Sequence, residues 1–315
     1  MDAQTLIDPE LAAAAELMPE QLGEITRDNL AEVRAMVAQM GERFTADTEG
    51  VDTTERTIPG KGGDIRLYIS QAQGASEKQP CLLWLHGGGY LLGDGDEPVG
   101  PVFAGQLGCT VVSVDYRLAP EHPFPAGPDD CYDALLWVHQ HAESLGIDPS
   151  RIGIGGASAG AGMSAGVALM SRDRQGPALS FQFLLYPMLD NLHNTASGAL
   201  DNHAVWNRQT SLNAWEMYLD GTPGLQASPY AAAGRAEDLS RLPPTYLTVG
   251  TEDLFRDECI DYAQRLMAAR VPTQLAVFPG VFHSAEMLAP EAAVSQRMTH
   301  CLFSALGDLL KLRQH

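Results

Sequence analysis

The spacing of apolar positions changes along this chain, and each change marks a different kind of element. Between Leu11 and Phe44, the residues Met18, Leu22, Ile25, Val33, Met36, Val37 and Met40 recur at helical spacing between polar faces, which predicts roughly two amphipathic helices. After Gly50 the pattern turns to short β-rich runs. Asp64 to Ser70 alternates, while Cys81 to Leu85 and Thr110 to Val114 read as buried strands. A helix around Cys131 to Ala142, a strand from Arg151 to Ile154, a small-residue helix from about Ala159 and a strand from Phe181 to Tyr186 follow. Such alternation predicts a mainly parallel sheet covered on both faces through right-handed crossovers. From about Leu189 to Arg241 the pattern lapses into polar and small residues with Trp206, Trp215, Met217 and Tyr218 interspersed. The stretch is too long for a simple connection and is expected to be an inserted lid. Alternation then resumes with a strand from Thr245 to Val249, a helix from Asp257 to Arg270, a strand from Gln274 to Phe278 and a closing helix to about Leu312.

Composition narrows the class. The 315 residues suit one large α/β unit, and 45% apolar with 19% charged residues is the balance of a folded globular protein. Acidic residues outnumber basic ones 40 to 20, so the field of a chain with formal charge −20 repels nucleic acid and anionic membrane surfaces. The five cysteines, Cys81, Cys109, Cys131, Cys259 and Cys301, are scattered without a CxxC pair and are expected to be reduced and mostly buried. No basic region followed by an apolar run opens the chain and no 18-residue apolar stretch occurs, so a cytoplasmic protein is expected. His139 and His141 are wrongly spaced to share one helical face, and no His-Glu-x-x-His occurs; the expected chemistry uses neither metal nor cofactor.

The candidate nucleophile is Ser158 in Gly156-Ala157-Ser158-Ala159-Gly160. Gly-x-Ser-x-Gly alone is a weak signal in a chain with 31 glycines. Here it follows a strand and opens a helix, the setting that exposes a serine hydroxyl at the carboxyl edge of a sheet. A dinucleotide site competes, because a glycine-rich turn also joins strand to helix and Asp190 ends the next strand, where a ribose-binding acid would sit. It fares poorly: from Gly153, the third glycine of the fingerprint is replaced by Ser158. Upstream, His86-Gly87-Gly88-Gly89-Tyr90 follows the apolar strand, and such a loop can aim backbone N–H groups at a developing alkoxide. Gly87, Gly88 and the N–H of Ala159 are the candidate oxyanion donors, each worth about 3 kcal/mol in the transition state. A phosphate cradle is disfavoured, since no lysine accompanies the loop and Asp94, Asp96 and Glu97 lie just beyond it.

These motifs, together with Asp115-Tyr116-Arg117-Leu118-Ala119-Pro120-Glu121-His122-Pro123-Phe124-Pro125-Ala126, Leu242-Pro243-Pro244 and Asp253-Leu254-Phe255-Arg256-Asp257-Glu258, resemble the hormone-sensitive-lipase-like group of bacterial carboxylesterases over nearly the whole chain. The resemblance implies an α/β-hydrolase fold with about eight strands, helices on both faces and a helical cap. The cap would be residues 1–48 and the insertion 189–241, and the catalytic domain residues 49–188 and 242–315. It also implies that Tyr116 to Ala126 braces the site rather than reacting, and that the protein forms a homodimer through its last strand and helix.

A serine hydroxyl needs an imidazole to take its proton and a carboxylate to orient that imidazole. His283 follows the last strand at the sheet's carboxyl edge and satisfies the chain order Ser, acid, His; His86, His139, His141 and His300 are placed for structural duty. Asp253 and Glu252 both follow the strand Thr245 to Val249, and the family's pattern puts the acid at Asp253, leaving Asp257 and Glu258 to cap the next helix. Three departures from that pattern, Ala157, Leu254 and Ser284, remove no catalytic atom. The expected activity is hydrolysis of short- to medium-chain acyl esters, small molecules, through an acyl-enzyme on Ser158. Tyr90, Leu91 and Leu92, just past the glycine loop, are candidate pocket residues. A hydrolase-fold protein that binds small molecules without turning them over is the alternative from another class, and the presence of His283 argues against it.

Overall fold

The computed structural model describes residues 6–16, 23–41, 48–74, 78–200, 203–221 and 224–313. Its strands are β1 (Val51–Gly60), β2 (Gly63–Ala72), β3 (Gln79–Leu85), β4 (Thr110–Asp115), β5 (Ile147–Ala157), β6 (Gln182–Leu185), β7 (Thr245–Gly250) and β8 (Thr273–Phe278). They form one sheet in the order β1-β2-β4-β3-β5-β6-β7-β8. β1 pairs antiparallel with β2 and β2 with β4, and every pairing from β4 through β3, β5, β6 and β7 to β8 is parallel. Parallel neighbours require crossovers. α3 (Val99–Leu107), α4 (Ala126–His141), α5 (Ala159–Asp173) and α7 (Arg256–Ala268) supply four of them. The fifth, from β6 to β7, is the long irregular segment carrying α6 (Arg208–Leu219).

The strands that hold the site are the most apolar. β3 and β7 are buried at every residue, and Trp84, Phe183 and Tyr246 fill the centre of the core. β1 is the opposite case. It sits at the edge with most of its residues exposed, and its Asp-Thr-Thr-Glu-Arg-Thr sequence carries no apolar alternation to reveal a strand. Charged and polar side chains on such an edge discourage pairing with another chain. The helix α3 is likewise invisible in the apolar spacing. Its nine residues include two glycines and a proline, and burial of Phe103 and Ala104 holds it in place. α4 begins a turn earlier than its apolar pattern indicates, because Pro128 falls in the first turn, where a missing N–H costs nothing.

At the N-terminal side, α1 (Ala12–Glu16) and α2 (Leu30–Gly41) lie within the stretch read as helical; Met18, Leu22 and Phe44 fall outside the described residues. Ile25 is tied to α6: its N–H donates to Thr210 Oγ1 at 3.4 Å, and its carbonyl accepts from Asn213 Nδ2 at 2.9 Å. α2 is tied to the loops over the sheet by Arg34. Its guanidinium donates to the Leu91 and Ala119 carbonyls, both at 2.9 Å, and forks onto Glu121 at 2.6 and 2.8 Å. α8 (Ala285–Leu288) and α9 (Ala293–Leu309) close the chain. Among the described residues, no helix is long and apolar enough to cross a membrane, and no group of His, Cys, Asp and Glu is placed to hold a metal ion. All five cysteines are free, four of them buried.

Candidate active site

β5 ends at Ala157 and α5 starts at Ala159, so Ser158 alone makes the turn between them. Its backbone lies at φ 56°, ψ −119°, a conformation a side-chain-bearing residue adopts only when its surroundings enforce it. Three backbone bonds do so: Ser158 N–H donates to Leu185 O at 2.9 Å, and its carbonyl accepts from Gly162 N at 3.0 Å and Met188 N at 3.1 Å. The flanking glycines are steric necessities. A Cβ at Gly156 would lie 2.5 Å from the Leu85 carbonyl oxygen, and one at Gly160 would overlap the carbonyls of Leu85 and His86.

Three side chains from distant parts of the chain meet at this turn. His283 Nε2 lies 2.9 Å from Ser158 Oγ, and His283 Nδ1 lies 2.8 Å from Asp253 Oδ2. The pattern is consistent with one tautomer: Nδ1–H donates to the carboxylate, and Nε2 accepts from the hydroxyl. All three are buried, with Ser158 6%, His283 4% and Asp253 1% exposed. In such surroundings the His–Asp attraction is screened far less than at a surface. The second carboxylate oxygen of Asp253 accepts from Phe255 N–H at 2.9 Å, which fixes the group's rotation. The imidazole is gripped edge-on by Tyr186 (centroids 4.7 Å apart) and Phe255 (5.2 Å). Glu252 points elsewhere: its carboxylate accepts from Leu6 N–H and from the Thr251 hydroxyl.

The glycine loop lies over the serine. A Cβ added at Gly87 would lie 3.2 Å from Ala157 O and 3.6 Å from Ser158 Cβ. Gly88 (φ 106°) turns the chain, and its carbonyl accepts from both Leu91 and Leu92 N–H at 3.0 Å. The loop is braced from behind. His86 stacks on Tyr116 with centroids 4.2 Å apart, its Nδ1 lies 2.8 Å from Gly87 O, and Tyr116 OH donates to His86 O at 2.7 Å. Burial lowers the His86 pKa and favours the neutral ring, and the carbonyl of Gly87 beside Nδ1 calls for the tautomer protonated there. Ala159 stands fully buried at the first position of α5. Tyr90 stacks on Tyr218 of α6 at 3.9 Å and donates to Met188 O at 3.3 Å, while Leu91 and Leu92 are buried beside it.

With this geometry in view, comparison with known proteins gives a consistent answer. A family model described as the alpha/beta hydrolase fold matches residues 82–287. The chain belongs to the α/β-hydrolase family. Among curated relatives of this α/β-hydrolase, a protein named carboxylesterase NlhH from Mycobacterium tuberculosis is 39% identical over 245 residues, covering 73% of this chain and 74% of the relative. Esterase LipI from the same species is 34% identical over 279 residues, covering 87% and 86%. A solved structure titled bacterial heroin esterase superposes with TM-score 0.92 at 39% identity, covering 97% of this chain and 98% of the other. The sheet order and these matches bear out both the fold and the family read from the motifs.

Several residues at the site escaped the sequence reading. Tyr186 and Phe255 flank His283, and Glu286 hydrogen-bonds Tyr186 OH at 2.7 Å. Trp206 lies against Gly89, its ring occupying the space a Cβ there would need. A glutamate three residues after His283 in an otherwise apolar run was the one available signal. Asp257 and Glu258 stand in the first turn of α7, but their carboxylates reach away from it. Asp257 accepts from Ser197 N–H at 2.7 Å, and Glu258 from Leu189 and Asp190 N–H at 2.7 and 3.2 Å. They pin the start of the insertion to the first turn of α7; their place in that turn is the one expected from the helix dipole, while neither caps the helix through a side-chain hydrogen bond.

Proposed function

We propose that this protein is a serine carboxylesterase whose catalytic triad is Ser158, His283 and Asp253. The observation that carries the reading is the unbroken buried chain from Ser158 Oγ to His283 at 2.9 Å and from His283 to Asp253 at 2.8 Å, beneath a glycine loop. Ser158 Oγ attacks the ester carbonyl carbon while its proton passes to His283 Nε2. The oxyanion accepts hydrogen bonds from the N–H groups of Gly87, Gly88 and Ala159. Collapse of the tetrahedral species breaks the bond to the alcohol oxygen, which takes the proton from His283. Water then adds to the acyl-enzyme by the same proton route, releasing the acid and restoring Ser158.

Residues 1–48 and 189–241 form the cap in this reading, supported by the bonds joining Ile25 to Thr210 and Asn213. Short- to medium-chain acyl esters are the proposed substrates. Their pocket includes Tyr90, Leu91, Leu92 and Trp206, all buried near the glycine loop. A cytoplasmic location fits the reduced cysteines. A homodimer through β8 and α9 is supported by the place of β8 at the sheet edge with Val277 exposed; native mass measurement decides it. The primary test is Ser158→Ala, which abolishes turnover of a p-nitrophenyl ester while the protein stays folded. Retained turnover rejects the assignment. Stoichiometric labelling of Ser158 by a fluorophosphonate separates an enzyme from a non-catalytic binding protein.

A further inference from the structure

A second carboxyl group lies close behind the catalytic histidine. Glu286 is 9% exposed, and its Oε1 accepts from Tyr186 OH at 2.7 Å, while Oε2 is buried without a hydrogen-bond partner among the described residues. Tyr186 in turn packs its ring edge-on against His283, at 4.7 Å between centroids and 67° between planes. Tyr186 is itself held at φ 37°, its N–H donating to Thr248 O at 2.7 Å. Two buried acids thus address one imidazole: Asp253 directly at Nδ1, and Glu286 through a tyrosine. We propose that Glu286 and Tyr186 are positioning residues for His283, Tyr186 setting the tilt of the imidazole and the Glu286 charge favouring the imidazolium formed in each acyl transfer.

The electrostatics give the pair a readable signature. Burial raises the Glu286 pKa, with Asp253 adding to the rise, while the Tyr186 hydrogen bond and His283 act in the opposite sense. The titratable groups in its reach come from four places: Tyr186 after β6, Tyr246 on β7, Asp253 on the loop after β7, and His283 on its own segment. Tyr246 is bonded onward to Cys301 of α9. Of these, only His283 changes charge during catalysis. A carboxylate charge at Glu286 attracts the imidazolium, and that attraction is what Glu286→Gln removes.

The inference rests on Ser158, His283 and Asp253 being the triad, and the experiment keeps the two apart. Wild type, Glu286→Gln and Tyr186→Phe are assayed on a p-nitrophenyl ester across pH, with rates normalised to fluorophosphonate-reactive sites, and Ser158→Ala and His283→Ala are assayed alongside per mole of protein. Glu286→Gln keeps the size and the bond to Tyr186 but loses the charge. It is expected to lower the acid-limb midpoint of kcat/KM by roughly one pH unit and kcat by about tenfold, with KM little changed. Tyr186→Phe keeps the ring against His283 and severs Glu286, and is expected to shift the midpoint in the same direction. Wild-type midpoints and kcat in both variants overturn the proposal, as does a loss of thermal stability alone with unaltered kinetics per titrated site. If Glu286→Gln does not fold, Tyr186→Phe decides. Turnover surviving in Ser158→Ala and His283→Ala removes the triad, and this proposal with it.

Discussion

Replacing Asp253 by asparagine keeps the side chain's shape while removing its charge, and the surrounding loop dictates which way the new amide must face. One Asp253 oxygen accepts from Phe255 N–H at 2.9 Å and the other meets His283 Nδ1 at 2.8 Å. Phe255 N–H can only donate, so the amide oxygen is held there and its NH2 is turned toward His283. An NH2 facing Nδ1 requires that nitrogen to accept, which moves the ring proton to Nε2 and removes the lone pair Ser158 needs. Flipping the amide would restore the tautomer but set two donors against each other at a buried position, at a cost of about 1–3 kcal/mol. Adding the lost stabilisation of the imidazolium, kcat should fall by about 10³- to 10⁴-fold, or about 4–5.5 kcal/mol in the barrier. The assay is steady-state hydrolysis of a p-nitrophenyl ester near neutral pH, with circular dichroism confirming the fold. A loss smaller than about tenfold would refute the reasoning, because neither the charge nor the tautomer would then matter.

Gly160→Ala pushes a methyl group into the carbonyls of Leu85 and His86, so it should destabilise the protein by about 1–3 kcal/mol or more, read as a lowered midpoint in denaturant. Backbone on both sides of the clash leaves no flexible neighbour to yield. Arg34→Ala removes the fork on Glu121 and the bonds to Leu91 and Ala119 carbonyls. In wild type, Arg34 holds the Glu121 carboxyl at about 2, below its ordinary 4.5. That contribution is fully present above the ordinary value and is lost as pH falls through about 2. The thermal midpoints of wild type and Arg34→Ala should therefore differ at pH 6 and draw together toward pH 2; a gap that widens in acid counts against the pairing. Since Glu121 is largely exposed, the gap is expected to be small and to shrink further in high salt.

The central strands and the nucleophile turn were legible in the sequence for a shared reason: both are local. β3, β4 and β7 are short apolar runs, and Ser158 carries its glycines two residues away on either side. β1 was not legible, because an exposed edge strand needs no apolar face, and α3 was not, because neighbours rather than its own spacing hold it. Asp253 and Glu252 are adjacent, and sequence position alone could not choose between them. The choice in space comes from the loop geometry, which sends one side chain to His283 and the other to Leu6. The Tyr186–Glu286 contact spans 100 residues and follows from the loops leaving neighbouring β6, β7 and β8 at one edge of the sheet. No periodicity encodes such a meeting. Ser284, one of the three departures from the family's pattern, stands at φ 58°, in the left-handed region that favours glycine.

The grip of Asp257 and Glu258 on Leu189, Asp190 and Ser197 sets a natural splice point for engineering this protein. Ser197 Oγ also donates to Leu254 O, next to Asp253, so residues 189–197 are fastened to the same loop that carries the acid. A graft that exchanged the whole insertion from residue 189 would cut these fastenings and disturb Asp253. One that began after His203, whose ring lies 2.9 Å from both the Ser197 and Glu252 carbonyl oxygens, would leave them intact, making the root a fixed socket into which substitute lids can be plugged without retuning the chemistry.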